Sequence, residues 1–264
     1  KINNIELHHQ MKFSSDNTNI LAIGGDYQPD KKFGFIRNDS LYIFDKTGKT
    51  IKSFSFEKYL KNKKNKVQPY INNWTTDSYK NKSFEATHVN SFSEIINKSA
   101  QGEKPVGYVA HCDLQKKIYI LNSELTEVTH EFSTGNKSIH DVQPYSEDRL
   151  IYYMNQDHDK AEPRLGTIET YNTKTQQFST LYGPFSEDIS ALAGSSVQVL
   201  PEDQLFILHS STLPRKGASA EAFYFEYVDL KNKTNKIIKV ENIKSPQGAR
   251  IIDAEDYIKN NIGN

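Results

Sequence analysis

A repeated segment constrains this chain more than any other feature of its sequence. The stretch HDVQPYSEDRLIYYMN, residues 140–155, returns as SSVQVLPEDQLFILHS at residues 195–210. Both copies share a Val-Gln pair, an acidic pair and an apolar run, which is the pattern of a β-hairpin with the acidic pair at its tip. Weaker copies begin at His9 (HQMKFSSDNTNILAIGG) and His88 (HVNSFSEII). A fixed repeat of this size indicates one supersecondary unit copied around a ring or along a solenoid.

The second half of each repeat has a pattern of its own. An alternating strand, an Asp or Asn, a polar turn and a further strand recur in LYIFDKTGKTIKSFSF, IYILNSELTEVTHEFS, IETYNTKTQQFSTLYG and FEYVDLKNKTNKIIKV. Four strands per repeat, at a spacing of roughly 50 residues, are typical of propeller blades. We therefore predict an all-β chain, a single β-propeller domain of four-stranded antiparallel blades. The predicted blades cover residues 8–56, 86–134, 139–183 and 194–241, with an insertion at 57–85 and a closing strand at 249–255.

Four blades and one closing strand leave two ways to complete the ring. Either a terminal strand completes a five-bladed ring, or blades that precede Lys1 are missing. The sequence shows no signal peptide after Lys1. We therefore expect that a leader was removed or that the chain is a piece of a longer precursor.

Charge and composition remove several classes of function. The chain has 33 basic and 33 acidic residues, so neither nucleic acid nor an anionic membrane is predicted as its main partner. Its mean hydropathy is −0.70, and no apolar run approaches the length of a membrane helix. The single cysteine, Cys112, excludes an internal disulfide and is predicted to be a small buried apolar residue.

Histidines at corresponding places in the repeats are the main functional clue. The innermost strand of each propeller blade lines the central channel, so His9, His88, His140 and Ser195 are predicted to face one another at one mouth. Three imidazoles in register favour a site over three separate structural roles. An unperturbed imidazole has a pKa of about 6.5, so both of its forms are available near neutrality. Such a cluster can attack an electrophilic centre, or it can bind a transition metal.

Other residues are candidates for contacts with a substrate. His8 adjoins His9, and strand alternation, with the register of His140, favours His9 as the one that faces the channel. His111 lies near the channel on the second strand of its blade. Trp74 lies in the insertion, where a long loop is often a lid, although plain packing is equally expected. Arg164 precedes a strand and is as much expected to be exposed as to bind an anion. The remaining histidines are interpreted as structural or surface residues: His130, His158 and His209.

The order of these motifs resembles the bacterial arylsulfate sulfotransferases. The matching pieces cover nearly the whole chain, and they are LHHQMKF with NILAIGG, SLYIFDKTGKTI, ATHVNSF, IHDVQPYSEDRLIYYMN, AGSSVQVLPEDQLFIL and ARIIDAE. The resemblance implies a six-bladed propeller that is exported to the periplasm or the cell surface. It also implies transfer of a sulfuryl group from a phenolic sulfate ester to another phenol, with no nucleotide sulfate donor and no other cofactor.

The resemblance also assigns roles to residues. The transiently sulfated nucleophile corresponds to His140, and its helpers correspond to His9 or His8 and to His88. These helpers hold the sulfuryl oxygens or shuttle the phenol proton. The residues then expected to bind substrate are His8, Asn90, His111, Arg164, Ser195 and Trp74. The family has an arginine on the strand after the THxNS motif, whereas this chain reads VGYVAHCDLQKKIYIL there.

Three functional hypotheses remain open on the sequence. The first is an enzyme that transfers a sulfuryl group between small phenolic compounds. The second is a non-catalytic propeller that binds a ligand or protein partner at its channel mouth. The missing arginine favours this second hypothesis, because a guanidinium is a two-pronged anion clamp. The third is a histidine-ligated metal enzyme, whereas the first hypothesis includes no metal.

Overall fold

The fold is described by a computed structural model, in which nearly all regular structure is β. The described residues are 6–31, 34–62, 70–71, 83–85, 87–99, 102–135, 137–155, 165–186, 195–210 and 222–241. Trp74, Arg164 and the predicted closing strand at 249–255 lie outside these ranges. The described part of the chain contains no helix with the length and apolar character that a membrane crossing requires.

Four sheets follow one another along the chain, and each contains four successive antiparallel strands, to which the first sheet adds two short strands. Sheet one contains β1 (Glu6–Phe13), β2 (Asn19–Asp30), β3 (Gly34–Asp45) and β4 (Thr50–Ser55). Sheet two contains β7 (Val89–Ser99), β8 (Gly102–Cys112), β9 (Lys117–Asn122) and β10 (Val128–Ser133). Sheet three contains β11 (Ile139–Ser146), β12 (Arg149–Met154), β13 (Thr167–Asn172) and β14 (Gln177–Tyr182). Sheet four contains β15 (Ser196–Leu200), β16 (Gln204–Ser210), β17 (Ala222–Asp229) and β18 (Thr234–Glu241). The prediction of an all-β chain with four-stranded, propeller-type blades is confirmed.

The first sheet carries extra elements from the insertion. Helix α1 (Phe56–Asn62) follows β4, and the Ser55 hydroxyl accepts a hydrogen bond from the Lys58 amide at 3.4 Å, as an N-cap does. Strand β6 (Ser83–Glu85) pairs in parallel with the first half of β3, and β5 (Tyr70–Ile71) pairs with β6. Strand β3 begins at Gly34, earlier than its predicted start at Leu41, because it pairs with β2 along its whole length.

The repeated Asp or Asn in each outer hairpin has a structural cause. Asp45 Oδ1 accepts hydrogen bonds from the amides of Thr47 at 2.9 Å and Lys49 at 3.0 Å. The equivalent side chains accept from amides two to five residues ahead, and they are Asn122, Asn172 and Asp229. A short side-chain acceptor that binds its own turn fixes a tight connection. The sequence pattern therefore marks the outer turn of every sheet.

The apolar core is divided into layers between neighbouring sheets. Alternate residues of β8 face opposite layers: Tyr108, Ala110 and Cys112 pack toward sheet one, whereas Val109 packs toward sheet three. In the same way β12 directs Ile151 and Tyr153 toward sheet four. This period of two is the sequence alternation that predicted the strands. Cys112 is buried in the first layer, as predicted, and burial raises the pKa of its thiol.

The first strands of the four sheets converge, and buried side chains join neighbouring sheets there. Asp39 Oδ2 accepts a hydrogen bond from the Val89 amide at 2.6 Å, which ties sheet one to sheet two. Asn90 Nδ2 donates to the Ile139 carbonyl at 2.8 Å, which ties sheet two to sheet three. Asp141 accepts from the Val197 amide at 3.2 Å and from Gln10 Nε2 at 3.1 Å, so it joins sheet three to sheets four and one.

Replacing Asp141 with Asn tests these ties. Asparagine tolerates the left-handed backbone at this position, where φ is 54°. However, asparagine has one carbonyl oxygen, so either the Val197 amide or Gln10 Nε2 would face an NH₂ group and lose its acceptor. We expect the free energy of unfolding to fall by about 1–3 kcal/mol, the cost of a buried polar group without a partner.

Urea denaturation monitored by tryptophan fluorescence and circular dichroism measures this loss. Glu127→Gln, on an exposed turn, is the matched control and should leave the midpoint unchanged. An Asp141→Asn protein as stable as the control would show that these hydrogen bonds contribute little.

Candidate functional site

A β-bulge recurs where the inner strands of the first three sheets begin. The pairing register shifts between His8 and Met11 in β1, and it shifts again at the start of β7 and of β11. A residue with left-handed backbone lies within the shifts of β1 and β11 and immediately before that of β7: His9 with φ 56°, Asp141 with φ 54° and His88 with φ 55°, respectively. Non-glycine residues adopt this region rarely, and His and Asp are among those that do so most often. These three positions therefore correspond to one another.

This correspondence corrects the predicted histidine column by one residue. His9 and His88 occupy the bulge position, but His140 is the residue before it and therefore corresponds to His8. A bulge redirects side chains, which strand alternation does not anticipate. Both neighbours His8 and His9 consequently point into one cluster, with their ring centroids 4.9 Å apart. The His9 and His88 rings lie 4.7 Å apart, edge to face.

A chain of hydrogen bonds runs from a buried carboxylate to His9. His8 Nε2 lies 3.0 Å from Asp39 Oδ1, and His8 Nδ1 lies 2.6 Å from His9 Nδ1. Because a carboxylate only accepts, His8 Nε2–H donates to Asp39. With this proton on Nε2, the His8 Nδ1 atom accepts from His9 Nδ1–H, which leaves the lone pair of His9 on Nε2. Burial raises the pKa of Asp39, but His8 and Arg37 outweigh it and hold this pKa at about 2.

A second carboxylate holds His88. The distance from His88 Nδ1 to Glu85 Oε2 is 2.5 Å, within a hydrogen bond. Burial opposes protonation of His88, but the hydrogen bond and negative charge of Glu85 raise its pKa above the ordinary value of 6.5. Asp113 and Asp39 act in the same direction. His88 therefore stays protonated to a higher pH than His9, His111 and His140 do.

His9 experiences the opposite effects. It is exposed at the mouth of the cluster, yet protein surrounds its ring, and that burial is the largest cause of a lowered pKa. Positive charge on His88 and Arg37 lowers the pKa further, and so does any positive charge on His8 or His140. His9 is neutral when His88 is protonated.

His140 and His111 form the inner end of the cluster. Burial lowers the pKa of His140 to about 4 and that of His111 to about 3. His140 Nδ1 lies 2.6 Å from the Asn155 amide nitrogen, and His111 Nδ1 lies 2.8 Å from Asn90 Oδ1. His111 Nε2 is buried with no hydrogen-bond partner among the described residues. Both imidazoles are therefore neutral near pH 7.

Most of the predicted site residues meet in this cluster. His8, His9, His88, His111 and His140 do so, and Asn90 joins them with its amide bound at both ends, by His111 and by the Ile139 carbonyl. Ser195 is buried just before β15. Trp74 and Arg164 lie outside the described residues. Among the other histidines, His130 is exposed, and His209 is buried against Glu226 and Tyr153.

Four residues of the cluster were not predicted: Arg37, Asp39, Glu85 and Asn155. Arg37 lies beside both carboxylates, with its Nε 3.3 Å from Asp39 Oδ1 and its Nη2 paired with Glu85. The available signal was the run Arg37, Asn38, Asp39, which places charged groups within an otherwise apolar strand. Arg37 and Asp39 are two residues apart and so face the same side.

The cluster has the groups for acid–base and nucleophilic chemistry. It combines imidazoles that are neutral near pH 7 with one whose pKa is raised, and carboxylates orient two of them. Residues that share a site but titrate in opposite directions are suited to separate acid and base roles. Among the described residues, no group of three or more His, Cys, Asp or Glu side chains is arranged to hold a metal ion.

Comparison with known proteins gives likeness in fold only. No protein-family model matches the chain, and no curated protein sequence matches it. The matching structures include PorZ, an essential bacterial surface component of the type-IX secretion system of Porphyromonas gingivalis. It is 10% identical, with a TM-score of 0.47, over 89% of this chain and 27% of PorZ. This chain thus spans about a quarter of the length of PorZ.

Two further structures are similar at lower scores. MPT-4, a mannose phosphorylase from Leishmania mexicana, is 11% identical, with a TM-score of 0.37, over 94% of this chain and 74% of that one. The WD40 domain of SCAP from fission yeast is 7% identical, with a TM-score of 0.23, over 93% and 67% of the two chains. No functional assignment is carried over from these structures, and the resemblance to arylsulfate sulfotransferases remains a prediction.

The lowered imidazole pKa values predict acid sensitivity. His111 and His140 are neutral when folded, but in the unfolded chain they protonate near the ordinary pKa of 6.5. The unfolded state then binds more protons, so their contribution to stability is complete above pH 6.5 and falls as pH drops toward about 4. We expect His111→Asn to flatten this decline, as measured by urea denaturation between pH 4 and 7. An unchanged slope would contradict the buried, neutral state of His111.

Proposed function

We propose that this chain transfers a sulfuryl group between phenolic compounds, with the histidine cluster as its active site. The observation that carries the proposal is the convergence of His9, His88 and His140, whose pKa values are shifted in different directions. Such a site supplies a neutral nucleophile, an acid and a base at one pH. The order of the sequence motifs supports sulfuryl transfer as the particular chemistry.

His140 is the proposed nucleophile. Attack needs the lone pair on Nε2, so its proton must lie on Nδ1. Asn155 Oδ1 is buried with no hydrogen-bond partner among the described residues. Rotating the Asn155 amide by 180° therefore breaks no hydrogen bond to Oδ1. It also brings Oδ1 to the position where it accepts a hydrogen bond from His140 Nδ1–H. In that arrangement Asn155 fixes the nucleophilic tautomer of His140.

In the first half-reaction His140 Nε2 attacks sulfur. The nitrogen–sulfur bond forms while the bond from sulfur to the aryl oxygen breaks. His88 gives the proton on its Nε2 to the leaving oxygen, so the first product is a phenol. Glu85 holds the other ring nitrogen of His88 throughout. This step requires protonated His88 and neutral His140, which coexist because their pKa values are shifted in opposite directions.

In the second half-reaction an acceptor phenol attacks the sulfuryl group on His140. Its hydroxyl proton goes to His9 Nε2, the nitrogen that carries the lone pair when Asp39 and His8 set the tautomer. The nitrogen–sulfur bond breaks and His140 is restored. His9 then holds a proton that His88 binds more strongly, and the rings are 4.7 Å apart, so the proton returns to His88 for the next cycle.

A non-catalytic binding role is the second candidate, and one observation favours it. Asp39, Glu85 and Asp113 surround the histidines, and Arg37 is already paired with two of these carboxylates. Among the described residues of the cluster, every arginine is therefore already paired with a carboxylate, and none is available to bind an anion. A neutral or cationic ligand suits these charges better than a sulfate ester does.

Replacing His140 with Ala tests the enzymatic proposal. The protein is incubated with 4-nitrophenyl sulfate and phenol, nitrophenolate release is followed, and the quenched protein is weighed intact. We expect wild-type protein to release nitrophenolate and to carry a sulfuryl adduct that maps to His140. His140→Ala should lose both. The matched control is His130→Ala, which removes an exposed histidine. Normal turnover by folded His140→Ala would refute the role of His140, and tight binding of phenols without release by wild type would support the binding propeller.

Replacing Glu85 with Gln tests the acid role of His88. The raised pKa of His88 depends on Glu85, so this pKa should fall in Glu85→Gln. His88 should then lose its proton at a lower pH than in wild type. In wild type kcat/KM should rise above the pKa of His140, about 4, and should fall only above 6.5. In Glu85→Gln the falling limb should move to lower pH while the rising limb stays. An unmoved falling limb would assign that limb to another group.

A further inference from the structure

Arg37 links the two carboxylates that orient the histidines. Its side chain is almost fully buried, at 7% exposure. The guanidinium Nε lies 3.3 Å from Asp39 Oδ1, and Nη2 is paired with Glu85 Oε1. Asp39 in turn accepts from His8, and Glu85 accepts from His88. One planar cation thus lies between two carboxylate–histidine pairs.

Strand pairing in the first sheet produces this arrangement. Arg37 is directly in register with Glu85, because the short strand β6 pairs in parallel with β3. Asp39 follows Arg37 by two residues and faces the same side of β3. Across β2, Gly25 is the partner of Asp39. A Cβ atom on Gly25 would lie 2.7 Å from Arg37 Cδ and 2.8 Å from Cγ, so the missing side chain of Gly25 is what makes room for the arginine stem.

We propose that Arg37 is a positioning residue that joins the Asp39 and His8 pair to the Glu85 and His88 pair and sets both histidine tautomers together. The proposal rests on the proposed function only for its effect on turnover. The effect on the imidazole protons is independent of which reaction the site performs.

The physical basis is the cost of burying two like charges. Two buried carboxylates beside one another favour protonation of one of them. A protonated carboxyl is a poorer acceptor for imidazole N–H, so its histidine would lose a fixed tautomer. A guanidinium between the two keeps both ionised, and its planar fork also fixes their separation. The charged and titratable groups that face this unit are His8, His9, His88 and Asp113.

Two substitutions separate the position of the guanidinium from its charge. Arg37→Lys keeps one positive charge but cannot contact both carboxylates with a planar fork. Gly25→Ala keeps every charged group and displaces the arginine stem through its added methyl group. Arg149→Lys is the matched control, because Arg149 is exposed at the start of β12 in another sheet.

The measurement is proton NMR of ¹⁵N-histidine-labelled protein. Among the hydrogen-bonded imidazole N–H signals of wild type, the two that report on this unit are those of His8 Nε2–H and His88 Nδ1–H, which should be protected and at low field. We expect Arg37→Lys and Gly25→Ala each to weaken both signals, whereas Glu85→Gln weakens only that of His88. Simultaneous loss at two histidines after one change at Gly25 is the signature of a shared bridge. Folded Arg37→Lys and Gly25→Ala proteins that keep both signals would overturn the proposal.

Turnover of 4-nitrophenyl sulfate is measured on the same variants. We expect kcat to fall in Arg37→Lys and Gly25→Ala with little change in KM, because the substrate does not touch Arg37 in this proposal. If wild type has no turnover, the proposed function fails while the proton signals still decide the role of Arg37. If wild type turns over and Gly25→Ala keeps its full kcat and both signals, the positioning role fails while the proposed function stands.

Discussion

Buried side chains that bind backbone groups of the next sheet hold the inner strands together, and the site depends on the same side chains. Asp39 accepts from the Val89 amide and also from His8. Asn90 donates to the Ile139 carbonyl and accepts from His111. A buried polar group costs free energy unless it is paired, so these residues cannot change without loss of stability. The same residues therefore join the sheets and orient the imidazoles.

The parts of the fold that follow from local sequence could be predicted. Alternating apolar residues placed the strands, and the Asp or Asn of each outer hairpin marked a turn that its own side chain stabilises. Convergence of the histidines followed from their recurrence at the start of each repeat. The register within the cluster did not follow, because a bulge adds a residue on one strand only. The left-handed backbone of His9 lies within such a bulge and that of His88 immediately before one, and no period-two pattern contains either feature.

The carboxylates and Arg37 were missed for a different reason. Polar residues inside an apolar run normally indicate the end of a strand, so β3 was expected to begin after the charged residues of FIRNDS. These residues are instead buried in the middle of the strand, where each has a partner of opposite charge or a hydrogen bond. Glu85 reaches Arg37 only through the parallel pairing of β6 with β3, across a long insertion. Such a pair leaves no signal in local sequence.

The chemistry of the cluster is set by the partners of its histidines and not by their number. Burial lowers the pKa of His111 and of His140 and keeps both imidazoles neutral near pH 7. Glu85 reverses this for His88, while neighbouring cations reinforce it for His9. Two rings 4.7 Å apart therefore hold protons with unequal strength, and a proton on His9 is drawn to His88. In our proposal Arg37 keeps Glu85 in its anionic form. It can do so at every relevant pH, because a guanidinium stays positively charged. A cluster of histidines with no such asymmetry would share its protons, and it would have no distinct acid and base.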